Sequence, residues 1–350
     1  MRLATVQKRN AFTLVELLVV IAIIVILMAL TVGVISKVYV YLDEVKVNTE
    51  VNRMATGCEQ FKSTFGRYPP SRIILCDNPV VYNNIMLGSV PLPPNSGLTM
   101  PQFQQLAAFS IEYLSSIFPG INLSTTSPVI RDWNGNGSID AQLLDGTECL
   151  VYFLGGVRYG GAAPTGFNTD KSNPTLQTNS TRLGPFFEFE PSRLAVSPKP
   201  DYPLYKDVYG SAYLYFASVN PNVNSYRNPF FPFVNTIGND CHTYLYSLNP
   251  TAVLFAPYFS STVPVSGPGS WSAAGSFKFL KSDTYQIISA GKDKQYGTGG
   301  QWSQVDPEQS AFLPPGVMSG PPYNVTITTD MIQANYDNIT NFAGGRVVPK

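Results

Sequence analysis

Asp132, Asn134, Asn136, Ser138 and Asp140 alternate along the segment DWNGNGSID, with Gly137 in sixth place. Side-chain oxygens at positions one, three, five and nine, a backbone carbonyl at seven and glycine at six wrap a chain around a hard cation such as Ca2+. Position twelve, where a bidentate acid normally closes such a loop, is Leu143, so Asp145 or Glu148 would have to swing in. The other reading of the segment is a plain Asn-Gly turn.

A second residue with chemical consequence is Glu16. It is the only charge between Arg9 and Lys37, at the head of an apolar run where a carboxylate is costly and calls for a partner. Catalytic constellations are not evident. Cys241 and His242 are adjacent, and neighbours in sequence rarely face each other as nucleophile and base, so a structural reading is favoured. One histidine and no C-x-x-C pair exclude a zinc site of usual spacing. The Gly pairs at 155–156 and 299–300 lack phosphate-loop and dinucleotide spacing. Cys58, Cys76, Cys149 and Cys241 allow up to two disulfides, Cys58 with Cys76 being the most local, or else buried free thiols. A net charge of zero gives no electrostatic footprint for nucleic acid.

The elements that position these residues begin with a membrane-type segment. Arg2, Lys8 and Arg9 form a basic flank, and Leu17–Ser36 is uncharged and mostly aliphatic, long enough to cross a bilayer core of about 30 Å. From Lys37 the pattern turns amphipathic: Val38, Tyr41, Leu42, Val45, Val51, Met54, Cys58, Phe61 and Phe65 share a helical face. Gly66 reads as a C-cap and Pro69-Pro70 closes the run, so one helix from Phe12 to Phe65 would measure roughly 80 Å. Beyond it, aromatic and β-branched runs bounded by Gly, Pro or Asn predict strands at Leu150–Leu154, Phe186–Phe189, Ala212–Ala217, Ala252–Phe255, Phe277–Leu280 and Tyr285–Ser289. Residues 77–130, 155–183 and 299–336 read as loops or insertions. The expected fold is α+β: a long N-terminal helix, transmembrane in its first half, packed on an antiparallel sheet with large loop insertions.

The N-terminal stretch NAFTLVELLVVIAIIVILMALTVG resembles the type IV prepilin signature: a basic leader, a small residue, Phe, Thr-Leu-Val-Glu and a long apolar run. That resemblance implies cleavage by prepilin peptidase between Ala11 and Phe12, and methylation of the Phe12 amine. Glu16 becomes the fifth mature residue, paired with the Phe12 amine of a neighbouring subunit. Ala11 stands where the family usually has Gly, and Gly33 where many relatives carry Pro. FGRYPPS after the helix, KDVYGSAYLYF, IISAGKDKQYGTGG and YDNITNF in that order are similar to the major pseudopilin of type II secretion. In that family a C-terminal loop binds Ca2+; the matching positions are Asp293 and Asp337, with Asn338 in place of a second acid.

The resemblance implies a leader at 1–11, a transmembrane and filament-core helix at 12–36, its amphipathic continuation at 37–66, and an extracytoplasmic β-rich body at 67–350. It implies a non-enzymatic subunit of a secretion pseudopilus, held in the bacterial inner membrane with its body outside the cytoplasm. Its partners would be other pilin-like subunits, prepilin peptidase and an inner-membrane assembly platform, with no nucleic acid. The alternatives are a type IV pilin or minor pilin of a surface fibre, or an extracytoplasmic enzyme or binding protein on a pilin-type anchor.

Overall fold

Thr13 is the first residue described, and helix begins at the next. The computed structural model describes residues 13–93, 96, 98–161, 163–177, 181–195, 201–218, 256–261, 277–297, 299–301, 316–320, 323–327 and 336–347. Helix α1 runs Leu14–Phe65, and the chain divides into two compact units, Met1–Lys46 and Val47–Lys350.

In the first unit, the side chains described from Leu14 to Met28 include aliphatics that are exposed on every face. A helix that is apolar all round is not made to lie against one surface of its own domain. Tyr41, Leu42 and Val45 of the expected stripe are exposed as well. In the second unit the stripe is buried, but it starts at Val47 and continues through Val51, Met54, Cys58, Phe61 and Phe65. Gly66 ends the helix as expected: its φ is +83° and its N–H reaches the Lys62 carbonyl at 2.7 Å.

After the helix come β1 (Ile73–Cys76), α2 (Val80–Met86) and α3 (Met100–Ile117), then β2 (Ala141–Leu144) and α4 (Gly146–Gly155). Short strands follow: β3 (Phe167–Asn168), β4 (Arg182–Leu183), β5 (Leu194–Ala195), β6 (Leu204–Tyr205) and β7 (Leu214–Ala217). The last are β8 (Ala256–Ser261), β9 (Phe277–Phe279), β10 (Tyr285–Ser289), β11 (Gly299–Gln301), β12 (Gly316–Gly320), β13 (Tyr323–Ile327), β14 (Ile339–Thr340) and β15 (Gly345–Arg346).

The central sheet has the order β15-β14-β10-β7, antiparallel throughout, with Ile288 opposite Leu214 and Thr340. Helix α1 lies on it within the second unit. Tyr285 of β10 donates its hydroxyl to the Ala55 carbonyl at 2.9 Å and to Glu59 at 3.0 Å, and Tyr213 donates to Glu50 at 2.6 Å. Glu50 also meets Arg193, whose guanidinium covers the Tyr205 ring. Behind the helix, Phe61 and Phe65 pack edge-on against Phe153, Phe186, Phe118 and Phe167. The α+β reading, a long helix on an antiparallel sheet, is therefore the observed one.

Several sequence expectations need correction. Leu150–Leu154 is not a strand but the core of α4, in which every residue is buried. A short, wholly apolar run is compatible with either state. The decision lies at its start, where the Asp145 N–H donates to Glu148 Oε2 at 2.9 Å and completes a capping box. Phe186–Phe189 forms no strand; its backbone is held instead by Phe186 N–H on the Leu154 carbonyl at 2.7 Å. Residues 77–130 carry two helices rather than loop alone. In α3, Phe103, Leu106, Ala107, Ser110, Tyr113, Leu114 and Ile117 recur at helical spacing and are buried. Residues 299–336 include β11 and the β12–β13 hairpin. Strands at Tyr285–Ser289 and within Ala212–Ala217 and Phe277–Leu280 are present; Ala252–Phe255 lies outside the described residues.

Candidate functional site

Three places concentrate the chemistry. At the start of α1, Thr13 N–H and Thr13 Oγ1 both donate to Glu16 Oε2 at 2.8 Å, and Glu16 N–H donates back to Thr13 Oγ1 at 3.2 Å. This is a capping box, in which a side chain satisfies N–H groups that the first turn of a helix leaves open. Glu16 Oε1 takes part in none of these bonds. The Thr-Leu-Val-Glu string thus has a role inside one chain that the sequence reading did not anticipate, although the Thr-x-x-Glu spacing signals it. Ala11 and Phe12 lie outside the described residues.

The second place is the loop Asp132–Asp140. It joins the region after α3 to β2, and β2 is paired with β1 so that Cys76 faces Ala141. Asp77, the next residue after β1, ties both ends of the loop. Its Oδ1 accepts Trp133 N–H at 2.9 Å and its Oδ2 accepts Asp140 N–H at 2.8 Å. Its own N–H donates to the Asp140 carbonyl, and its carbonyl accepts Arg131 N–H, each at 2.9 Å. Trp133 is fully buried and donates Nε1–H to the Cys76 carbonyl at 3.1 Å.

Inside the loop, Asp132 accepts N–H groups from Gly135, Asn136 and Gly137 at 2.6, 3.2 and 2.7 Å. Gly137 has a φ of +78°, the sharp turn expected at the sixth place. Ser138 N–H reaches Asn136 Oδ1 at 2.7 Å. Burial, and beyond it the charges of Asp140 and Asp132, push the Asp77 carboxyl up to about 6 against the pull of its two backbone donors. Asp145 and Glu148, the acids expected to swing in, are committed to the start of α4, and Asp145 also pairs with the buried Arg72. The acid that does approach is Asp201, whose Oδ2 accepts Asn136 Nδ2–H at 2.9 Å. Among the described residues no three His, Cys, Asp or Glu side chains are grouped so that they alone could hold a metal ion; the loop itself carries amides beside its acids.

The third place is the end of the central sheet, where the mid-chain motif at 206–216 meets the two nearer the C-terminus. Asp207, buried, accepts Tyr209 and Ser211 N–H groups on Oδ1 and the Ser289 hydroxyl on Oδ2 at 2.6 Å. Burial holds its carboxyl above the usual range. Asp293 N–H donates to Asp337 Oδ2 at 3.0 Å across 44 residues, joining the two acids expected to act together. Partial withdrawal from solvent, then the facing Asp337 carboxylate, raise Asp293 to about 6. Asn338 is fully buried and donates to the Tyr258 hydroxyl and the Tyr296 carbonyl at 2.8 and 2.7 Å. Asp337 Oδ1 is buried with no hydrogen-bond partner. Two facing carboxyls with a buried unpaired oxygen fit a shared proton or a shared cation.

Other candidates resolve more simply. Cys58 and Cys76 are buried thiols not joined to each other, so the most local disulfide pairing is not formed; Cys149 is buried as well. Cys241 and His242 lie outside the described residues. A cavity of about 230 Å3 lies beside the Gly-Arg-Tyr-Pro turn, where Lys62 sits over the Tyr68 ring at 4.2 Å and Arg67 over Tyr113 at 5.0 Å. Arg67 is also paired with Glu112 at 2.6 Å.

Residues 6–32 match the prokaryotic N-terminal methylation motif, the prepilin-type signature of pilin-like and pseudopilin proteins. No curated protein and no solved structure matches the chain. Proteins with this motif are structural subunits, processed by prepilin peptidase and assembled with other pilin-like subunits. The motif implies a membrane-anchored N-terminal helix. Among the described residues no helix is long and apolar enough to cross a membrane; side chains of the expected span are described only as far as residue 29.

Proposed function

We propose, with the prepilin-type N terminus as premise, that the chain is a subunit of a type II secretion pseudopilus. It is cut after Ala11, methylated on Phe12 and polymerised through α1 to drive protein export. One observation carries the reading. The methylation motif leads into a helix whose first unit leaves Leu14, Leu17, Ile21, Ile24 and Leu27 exposed, while its continuation is buried on the body's own sheet. Apolar surface removed from water stabilises by about 25 cal/mol per Å2, so uncovered side chains of this kind favour lateral packing with copies of the same helix or with lipid. The protein catalyses no reaction in this reading; its work is assembly.

Glu16 does two jobs in turn. Within one chain it caps α1 through Thr13, and in the filament it receives the charged Phe12 amine of the next subunit. The match of Phe65–Ser71, Asp207–Gly210, Ser289–Gly297 and Tyr336–Phe342 to the major pseudopilin pattern, with the last three clustered at one sheet end, supports secretion over a surface fibre. Asp293 and Asp337 would there hold a calcium ion, which would neutralise the two carboxyls and pin the C-terminal segment to β10.

The test has two parts. N-terminal mass spectrometry of the membrane-extracted protein is expected to give a methylated Phe12 terminus; an intact Met1 in cells with active peptidase refutes processing. Deletion of the gene is expected to retain secreted proteins inside the cell while surface fibres persist. Loss of fibres with normal export would assign the chain to a type IV pilus instead. Glu16→Ala is expected to insert normally and to yield few filaments.

A further inference from the structure

Asp77 holds both ends of the loop Asp132–Asp140, so its backbone is shaped before any ligand arrives. Within that frame Asn134 Nδ2 and Asn136 Nδ2 converge on Asp140 Oδ2, at 3.0 and 3.2 Å. Side chains from the third, fifth and ninth places therefore meet at one point. A half-turn of each amide presents its oxygen there in place of its nitrogen, in exchange for the bonds that Asn134 Oδ1 accepts from Asn136 N–H at 3.1 Å and Asn136 Oδ1 from Ser138 N–H at 2.7 Å. Asn136 also touches Asp201 at 2.9 Å, which brings a further carboxylate to the rim from 65 residues away.

Three buried oxygens behind the loop point to a ligand. Asp140 Oδ1 has no hydrogen-bond partner, although Oδ2 of the same carboxylate takes two. The hydroxyls of Tyr202 and Tyr152, side chains only 2% and 5% exposed, have no partner either. Tyr202 feels the charges of Asp77 and Asp140, and Tyr152 those of Asp77 and Asp132. The two rings lie 5.5 Å apart. Unpaired buried oxygens beside a carboxylate cluster are unfavourable alone, and a cation supplies the partner that Asp140 Oδ1 lacks. The charges that face the cluster are those of Asp77, Asp132, Asp140 and Asp201, with Arg158 beside Asp201.

We propose that the loop is a calcium site that uses Asp132, Asn134, Asn136, the Ser138 carbonyl and Asp140, with Asp201 at its rim closing it through a bound water. Leu143, at the twelfth place, is on β2 and buried, so it contributes nothing. Asp201 supplies the acid the local sequence lacks, and it does so from the segment leading into β6. An irregular cage of six or more oxygens suits Ca2+, whereas Mg2+ demands near-ideal octahedral geometry. The site would tie the loop to residues 201–205 and so staple two surface segments of the body. It is separate from Asp293 and Asp337 and does not depend on the filament reading.

The full-length chain in detergent allows the test, with Tb3+ as a luminescent stand-in and Ca2+ and Mg2+ as competitors. Trp133, the second loop residue, should sensitise terbium emission, and Ca2+ should displace the ion at concentrations at least about a hundredfold below Mg2+. Trp133→Phe should remove most of the emission and leave calcium affinity within a few-fold. Asp201→Asn, at a partly exposed position, should weaken calcium about tenfold or more, and Asp132→Asn further still. Circular dichroism confirms that the variants fold. Unchanged affinity in both Asp201→Asn and Asp132→Asn overturns the proposal, as does the absence of binding at millimolar calcium. Binding lost only in Asp337→Asn would assign the ion to the C-terminal pair and overturn it equally.

Discussion

The two parts of α1 obey the same helical period and reach opposite outcomes. Before Lys46 the apolar side chains that are described stand exposed, and the polar bonds are local: Thr13 with Glu16, and Lys46 with Asp43 at 3.5 Å. From Val47 onward the helix is bound to its own body through Glu50, Ala55, Glu59 and a stripe of buried side chains. A helix can thus carry two interfaces in series, one completed by the chain itself and one left for other molecules. Sequence marks the change early: the apolar arc narrows to one face from Lys37, whereas burial starts only at Val47.

Mutations can break or sharpen that contrast. Phe61→Ala should have the largest effect, because it removes a ring packed against Phe65, Phe153 and Phe186; a loss of about 3–5 kcal/mol is expected in denaturant unfolding of the body. If the cost falls below about 1 kcal/mol, the second part of the helix is not the core element described. Asp77→Ala should come next. It leaves the buried N–H of Trp133 and the partly buried N–H of Asp140 without acceptors, for about 2–4 kcal/mol, read from the same unfolding curves.

The same carboxyl gives a smaller, pH-dependent signal. Asp77 titrates near 6 in the folded body against about 3.9 when unfolded, so between those values the folded state holds more protons. Its contribution to stability is full below pH 4 and is lost as pH rises through 6, by up to about 2 kcal/mol. Melting of the calcium-free protein should therefore rise as pH falls from 7 to 5, and Asp77→Ala should lack that part of the rise. Ile21→Ala should be the smallest perturbation. It should leave unfolding of the body unchanged within about 0.5 kcal/mol while lowering filament yield. A marked loss of body stability would show that the first part of the helix is not independent.

What the sequence made legible follows the reach of its signals. The buried face of α1 from Val51 to Phe65, the stop at Gly66 and the strand Tyr285–Ser289 depend on local period and turn chemistry and were readable; Tyr41, Leu42 and Val45, read onto the same face, are exposed. The helices α3 and α4 differ from the loop and strand that their hydrophobic runs suggest, although their starts are written as Thr99-x-x-Gln102 and Asp145-x-x-Glu148. For the Asn-Gly loop the internal donors were readable and their supports were not. Asp77 lies 56 residues before Trp133 and Asp201 65 residues after Asn136, and only the β1–β2 pairing and the fold of the later segments bring them there. The closure of Asp337 on Asp293 was expected only from resemblance, since 44 residues intervene.

The buried sulfurs of Cys58 and Cys76 have a use beyond the absence of a crosslink. Burial drives both thiols well above their ordinary range, so almost no thiolate exists for a reagent to meet. Alkylation must then wait for the body to open, and its rate becomes a clock for that opening. Cys58 sits on the helix and Cys76 at the end of β1, against the loop that Asp77 clamps. Labelling followed on the separate peptides that carry Cys58 and Cys76 would time the release of each region apart from Cys149 and Cys241, without any probe being added to the protein.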